Sequence, residues 1–168
     1  MKQIAVAPLL EVAFPDVVFD HKIPVFDKSA WKADGKWQIH TTIPWGGKIP
    51  EDQSMVSDKA GDSLTVSFTG TGITLMGNWV RDGGKADIYL DGKLKGTIDS
   101  YFFWGDQEHY NMNLWHIFGL DAGEHSLTGV VRGEKRPESA ASRLYITEAL
   151  VFRTESKKNK NFHFTFEN

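Results

Sequence analysis

The 168-residue chain contains no cysteine, which excludes thiol catalysis, thiolate-ligated metals and disulfide cross-links. It lacks an apolar run long enough to cross a membrane as a helix. Its first residues are mildly apolar, but Glu11 interrupts them and we expect no signal peptide there. The chain also lacks a large excess of one charge, because its net charge is -3 and its acidic and basic residues are scattered along the sequence. The sequence therefore predicts neither nucleic acid nor a membrane surface as a partner.

Helical periodicity is scarce, and alternation of apolar and polar residues takes its place. Ser63–Thr69 puts Leu64, Val66 and Phe68 on one face of a strand. The same period of two predicts inward-facing residues in three further segments, Lys85–Leu90, Lys93–Ile98 (with Leu94 and Ile98 inward) and Glu124–Val131, and Leu144–Phe152 is predicted as a further strand. Phe162–Phe166 is predicted as a last strand. We expect at most one or two short helical turns.

Turn residues separate these predicted strands. Asp91-Gly92 is the strongest hairpin signal in the chain. Gly70 and Gly72 are predicted to break the first strand by adopting a positive φ, and Gly123 to make a turn before the next strand. Many short strands at this spacing predict an all-β protein, with residues 1–168 forming a single antiparallel β-sandwich domain.

The chain is rich in aromatic residues, including six tryptophans. Rings at strand centres are predicted to fill the core, namely Phe68, Trp115, Phe118 and Phe152. Trp31 and Trp37 are expected to pack against the edge of the sandwich.

Four segments carry a resemblance to a known group of domains: Gly61–Ile73, Gly84–Gly92, Leu120–Leu127 and Ser142–Val151. With their G-T-G, D-G hairpin and G-x-H-x-L patterns they resemble the galactose-binding-like, jelly-roll β-sandwich domains attached to carbohydrate-active enzymes. The resemblance covers roughly Phe19 to Phe152. It implies a non-catalytic carbohydrate-binding module, covalently linked to a polysaccharide-degrading catalytic domain, in a bacterial secreted, periplasmic or cell-surface protein.

The resemblance also bears on cofactors. Where many relatives carry Asp in the last strand, this chain has Glu148, and an acidic residue near this position can hold a structural calcium ion in related modules. Glu148 is therefore a calcium candidate, although the six to eight oxygen ligands that calcium takes cannot be assembled from the sequence. We expect no other cofactor.

Candidate ligand contacts cluster where aromatic and polar residues mix. Tyr101–Trp115 holds six aromatic residues among fifteen, and Phe102–Tyr110 is predicted to be an inserted loop. A flat ring stacks on the apolar face of a sugar, while carboxylate, amide and guanidinium groups bond its hydroxyls. The predicted contacts are Trp45, Trp79, Arg81, Trp104, Gln107, Glu108 and Tyr110.

A second group of candidate contacts lies further along, at Arg132, Glu134 and Arg136. If these arginines converge with Arg143, an acidic sugar such as a uronate becomes the expected ligand, because guanidinium binds carboxylate bidentately.

Two alternatives stay open. A structural or protein-interaction accessory domain predicts that Trp45, Trp79 and Trp104 are buried or share one apolar patch. A small glycan-active enzyme predicts converging ionisable groups, for example His109 with Glu108 or Arg132. We predict no catalytic residue: Ser63 opens a strand instead of following one, and the histidines lack the spacing of a zinc site.

Overall fold

The computed structural model describes residues 16–42, 52–102 and 108–155. These ranges contain nine strands: β1 (Asp16–Pro24), β2 (Trp31–Asp34), β3 (Gln38–Thr42), β4 (Asp52–Ser57), β5 (Ser63–Trp79), β6 (Lys85–Leu90), β7 (Lys93–Asp99), β8 (His109–Val131) and β9 (Leu144–Glu155). They contain no helix, so the expected helical turns are absent from this part of the chain and no described helix could span a membrane. The predicted strand Phe162–Phe166 lies outside the described residues.

The long strands β5 and β8 run through both layers of the fold. The first half of β5 pairs with the second half of β8 and with β2, and β6 and β7 extend this layer. The second half of β5 pairs with the first half of β8 and with β9, to which β1 and β4 add, followed by β3. Every pairing between these strands is antiparallel. The protein is an antiparallel β-sandwich of the jelly-roll type, as predicted.

The core lies between the two layers. The predicted inward faces are confirmed for β5, β6 and the end of β8, whose buried residues are Leu64, Val66, Phe68, Ala86, Ile88, Leu90, Leu127 and Val131. Gly129 shows that the layers are in van der Waals contact, because a Cβ added there would lie 3.7 Å from the side chain of Ile146, on β9 in the other layer. Each fully buried Leu, Ile or Val contributes about 1.5–3 kcal/mol to folding.

The predictions for three glycines are wrong. Neither Gly70 nor Gly72 has a positive φ, and β5 continues through both. They are needed for close approach: an added Cβ would lie 2.7 Å from the Phe152 carbonyl oxygen at Gly70 and 2.7 Å from the Phe118 ring at Gly72. Gly123 makes no break either, since it lies inside β8. The Asp91-Gly92 turn is confirmed, with φ of 50° and 74°.

Two predicted core residues are exposed. Leu94 is 58% exposed because the β6–β7 register shifts between Ile88 and Tyr89, which turns Leu94 to the outer face. Phe118 is 42% exposed and lies beside a shift of the β5–β8 register, which falls between Phe118 and Gly123. The other ring predictions fare better: Phe68 and Trp31 are buried, Trp37 and Trp115 pack against the core, and Phe152 is half-buried.

Candidate functional site

A row of half-buried rings marks the end of the sandwich where β5 stops and β8 starts. Trp79 is the last residue of β5 and pairs with His109, the first residue of β8. The Phe102 ring stands edge-on to both, with its centroid 6.3 Å from that of Trp79 and 4.7 Å from that of His109. Trp79 packs against the core and donates its Nε1–H to the Asn113 carbonyl oxygen at 3.0 Å, so its orientation is fixed.

Polar side chains lie directly beside this aromatic row. The Tyr110 hydroxyl donates to Glu108 Oε2 at 2.5 Å, and Glu108 Oε1 accepts the Arg81 backbone N–H at 3.4 Å. Burial, followed by the bond to Glu108, raises the pKa of Tyr110 well above its ordinary value. The phenol therefore stays protonated, while Glu108 keeps lone pairs for a further donor.

A second polar group supports the turn that follows β5. Asp82 Oδ2 accepts from Arg143 at 2.8 Å and from the Tyr145 hydroxyl at 3.0 Å. Burial of the phenol raises the pKa of Tyr145 to about 12. The ring of His40 stands edge-on to that of Tyr145, with centroids 5.2 Å apart. These contacts join β9, β3 and the turn into one wall beside Tyr110.

The predicted contacts divide into three sets. The structure brings Trp79, the Arg81 backbone, Glu108 and Tyr110 together. Tyr110 belongs to strand β8 and not to a loop as predicted. Trp45, Trp104 and Gln107 lie outside the described residues, so their predicted roles stay predictions.

In the third set, the arginine group, the guanidinium groups are paired with carboxylates. Arg132 pairs with Asp87 at 3.1 Å and with Glu134 at 2.8 Å. Arg136 pairs with Asp99 at 2.6 Å and lies over the Tyr101 ring, and Arg143 pairs with Asp82 at 2.8 Å. These ion pairs do not favour a uronate ligand, which stays a prediction.

Glu148 lies in a setting that differs from a calcium site. Its side chain accepts from Asn111 Nδ2 at 3.3 Å, and the ammonium of Lys22 is 3.7 Å away. The described part of the chain holds no group of three or more His, Asp or Glu side chains that could bind a metal ion. An ammonium and an amide N–H₂ do not supply the oxygens that calcium takes, so these neighbours do not fit the ion. A structural calcium stays a prediction.

Sequence reasoning missed several residues of this region. Tyr145 and Thr147 alternate with the apolar Leu144 and Ile146 at the start of β9, and this alternation was a local signal that their polar groups meet partners. No signal pointed to Asn111, whose neighbours are contributed by distant strands. Away from this site, a groove of about 630 Å³ lies at the far end of β6, beside Asp91 and His125. None of the predicted ligand contacts lines it.

The site is thus a set of half-exposed rings and hydrogen-bonding groups at one end of a jelly-roll sandwich, and it can be compared with known proteins. No family model matches the chain. A type blood alpha-D-galactosamine galactosaminidase from Flavonifractor plautii is 28% identical over 110 residues, which is 62% of this chain and 9% of that protein. The chain therefore spans less than a tenth of the length of this curated relative.

Two solved structures share the fold. A two-domain esterase active on acetylated mannans superposes with a TM-score of 0.61 at 14% identity, covering 94% of this chain and 41% of that one. A Paenibacillus xanthan lyase superposes with a TM-score of 0.50 at 9% identity, covering 71% of this chain and 12% of that one. At these identities the similarity establishes the fold and leaves the ligand open.

Proposed function

We propose that this domain is a non-catalytic carbohydrate-binding module that works beside a covalently linked catalytic domain of a secreted or cell-surface protein. The observation that carries the proposal is the pairing of the Trp79–Phe102 rings with the Tyr110–Glu108 hydrogen bond at one end of the sandwich. Support also comes from the similarity to part of a galactosaminidase. A module of this kind raises the local concentration of its attached enzyme at the substrate.

The geometry assigns distinct tasks to the two kinds of side chain. The half-exposed Trp79 ring offers a flat apolar surface for the C–H face of a sugar. Glu108 accepts a sugar hydroxyl alongside the Tyr110 phenol, and Tyr110 holds the carboxylate in place. Because Trp79 and Glu108 are both held by other contacts, little side-chain entropy is lost on binding.

The described contacts do not favour the enzyme alternative. The ring of His109 contacts the Phe102 ring, Glu108 bonds Tyr110, and Arg132 is paired with Asp87 and Glu134. The predicted convergence of His109 with Glu108 or Arg132 in a cleft has no counterpart among these contacts.

A glycan-array screen of the isolated domain, followed by calorimetry on the best ligand, tests the proposal. Trp79→Ala and Tyr110→Phe are expected to weaken binding by about tenfold or more, close to 1.4 kcal/mol. Trp37→Ala is the matched control, because this half-buried tryptophan lies away from the site and donates its Nε1–H to the backbone carbonyl oxygens of Asp34 and Ser63. Circular dichroism verifies folding. A folded domain that binds no glycan would overturn the proposal.

A second candidate function, an accessory domain that packs against a neighbouring protein domain, is favoured by one further feature. The outer face of the sheet carries an exposed aromatic row, in which Phe152 meets Phe19 at 6.0 Å and Phe118 at 5.0 Å. Phe19 is 52% and Phe118 42% exposed. The replacement Phe118→Ser separates the two functions: it would leave glycan binding intact and weaken only contact with a protein neighbour.

A further inference from the structure

A small groove of about 270 Å³ opens next to the candidate site, on the outer face of the layer that contains β9. Its lining comes from four strands and the segment after β1, and includes Lys22, Phe26, Gln53, Asn111, Thr147 and Glu148. None of these was predicted from the sequence to contact a sugar, and Glu148 was predicted only as a calcium candidate. Its volume, just below the usual range for drug-sized ligands, suits one small unit of a larger molecule.

Two β-bulges build the groove. The β5–β9 register slips at Thr147, and the β5–β8 register slips at Tyr110–Asn111. Both slips lie against the same stretch of β5, Gly77–Asn78. A bulge redirects the side chains of its strand and is often found beside functional sites. Here the two bulges turn Thr147, Glu148 and Asn111 towards one another.

Asn111 occupies a strained conformation that its surroundings enforce. Its φ is 51°, in the left-handed region that favours glycine. Its backbone N–H donates to the buried Asn78 Oδ1 at 3.1 Å, its Oδ1 accepts from Thr147 Oγ1 at 2.7 Å, and its Nδ2 donates to Glu148 Oε1 at 3.3 Å. Strain that is held by three hydrogen bonds is typical of functional positions. The network fixes the Glu148 carboxylate at the groove.

The remaining groups of the groove match the chemistry of a sugar. The Phe26 ring is 37% exposed and offers a stacking surface. The Lys22 ammonium, whose side chain is 64% exposed, lies 3.7 Å from Oε2 of Glu148, whose side chain is 15% exposed, and this distance is too long for a direct hydrogen bond. On binding, the Glu148 carboxylate can accept a hydrogen bond from one sugar hydroxyl while the Lys22 ammonium donates one to a neighbouring hydroxyl.

We propose that this groove is a second saccharide subsite, which holds one pyranose unit of a glycan whose adjacent unit lies on Trp79 and Tyr110. The inference rests on the proposed carbohydrate binding and extends it. The first site and the groove adjoin along β8, because Tyr110 of the first site is followed directly by Asn111 of the groove. With this arrangement the domain would bind glycan chains more tightly than isolated monosaccharides.

Calorimetry with a series of oligosaccharides of increasing length, taken from the glycan class that the array identifies, tests the subsite. Phe26→Ala and Asn111→Gly are expected to weaken the affinity for the longer oligosaccharides by about tenfold and to leave the affinity for the monosaccharide unchanged. Asn111→Gly suits the test because glycine tolerates the positive φ, so the fold is kept while the network is lost. Phe118→Ala is the matched control, since this exposed phenylalanine lies outside the groove.

The outcomes separate the two proposals. If Trp79→Ala abolishes binding while Phe26→Ala and Asn111→Gly leave the affinity for every length unchanged, the subsite is refuted and the proposed function stands. If the folded wild-type domain binds no glycan, both fail. A loss in the groove variants that grows with chain length supports the subsite.

Discussion

At the scale of single residues, several glycines of this protein matter for the Cβ atom that they lack. A Cβ at Gly77 would overlap the carbonyl oxygen of Tyr145 on β9 and come within 2.5 Å of the Leu114 side chain. At Gly96 on β7, by contrast, nothing lies within 4 Å of the added atom and φ is not positive. The same substitution therefore tests opposite situations at the two positions.

We expect Gly77→Ala to destabilise the domain by about 3 kcal/mol, because a backbone carbonyl cannot move aside cheaply. Gly96→Ala is expected to be neutral or to stabilise by up to about 1 kcal/mol through the unfolded chain. Chemical denaturation gives both free energies of unfolding. Equal stability of the two variants would contradict the close approach of β5 and β9.

The role of a glycine in this chain could be predicted from the sequence where it depends on neighbouring residues, and not where it depends on residues far along the chain. The Asp91-Gly92 turn is written in two adjacent residues and was predicted correctly. The predictions for Gly70 and Gly72 are wrong because these glycines make room for the Phe152 carbonyl oxygen and the Phe118 ring. Phe152 and Phe118 lie 82 and 46 positions away along the chain, and the local sequence does not indicate such distant neighbours.

At the scale of elements, the turn of the β6–β7 hairpin is held against β8 by side-chain contacts of Asp91, in addition to the backbone pairing of β6 with β8. Asp91 accepts the Ser126 backbone N–H and the His125 Nδ1–H, each at 2.8 Å. The other ring nitrogen of His125 donates to the Asp121 carbonyl oxygen at 2.8 Å. Since both ring nitrogens face acceptors, only the imidazolium satisfies both bonds.

This arrangement makes the stability of the hairpin depend on pH. The Asp121 carbonyl and then Asp91 raise the pKa of His125, while the Ser126 N–H and then His125 lower the pKa of Asp91. The histidine contribution is complete below its unfolded pKa of about 6.5 and is lost as the pH rises through the folded value. The aspartate contribution is present above about pH 3.9 and is lost as the pH falls through its lowered value.

We therefore expect the stability difference between the wild type and His125→Gln to shrink between about pH 6 and pH 9. Thermal unfolding measured across this range, at constant ionic strength, provides the check. His116→Gln serves as the control, because the His116 ring bonds the Asn113 amide, a group that does not titrate. A difference that stays constant with pH would show that His125 is not held as the imidazolium.

Alternation predicted the strands of the core well, and it failed where a register slips. Leu64, Val66 and Ile88 follow the period of two and are buried. Leu94 and Phe118 each lie beside a slip and face outwards. The candidate site depends on the same irregularities: Glu108 and Tyr110 were visible in an aromatic and polar stretch, whereas Asn111 acquires its role only because two bulges meet over Gly77–Asn78.

At the scale of the whole molecule, charge is distributed in neutralised pairs. The net charge is -3, and Arg132, Arg136 and Arg143 each contact a carboxylate. Of the contacts proposed at the first site, Trp79 and Tyr110 are uncharged and Glu108 acts as a hydrogen-bond acceptor. Within the described residues the paired arginines do not favour attraction of a polyanionic chain, and recognition of a glycan is expected to depend on stacking and on short-range hydrogen bonds.

From this distribution we expect the affinity for the glycan to change by less than about twofold between roughly 0.05 and 0.5 M salt, because screening acts on separated charges and hardly affects stacked rings. Calorimetry at several salt concentrations measures it. Arg132→Gln, which removes one guanidinium that the sequence had offered as a contact, should leave both the affinity and its salt dependence unchanged. A contrary result would be an affinity that falls steeply with salt in the wild type and less steeply in Arg132→Gln. It would mean that Arg132 leaves Asp87 and Glu134 to bind an acidic sugar. The ligand contacts would then lie on the arginine group.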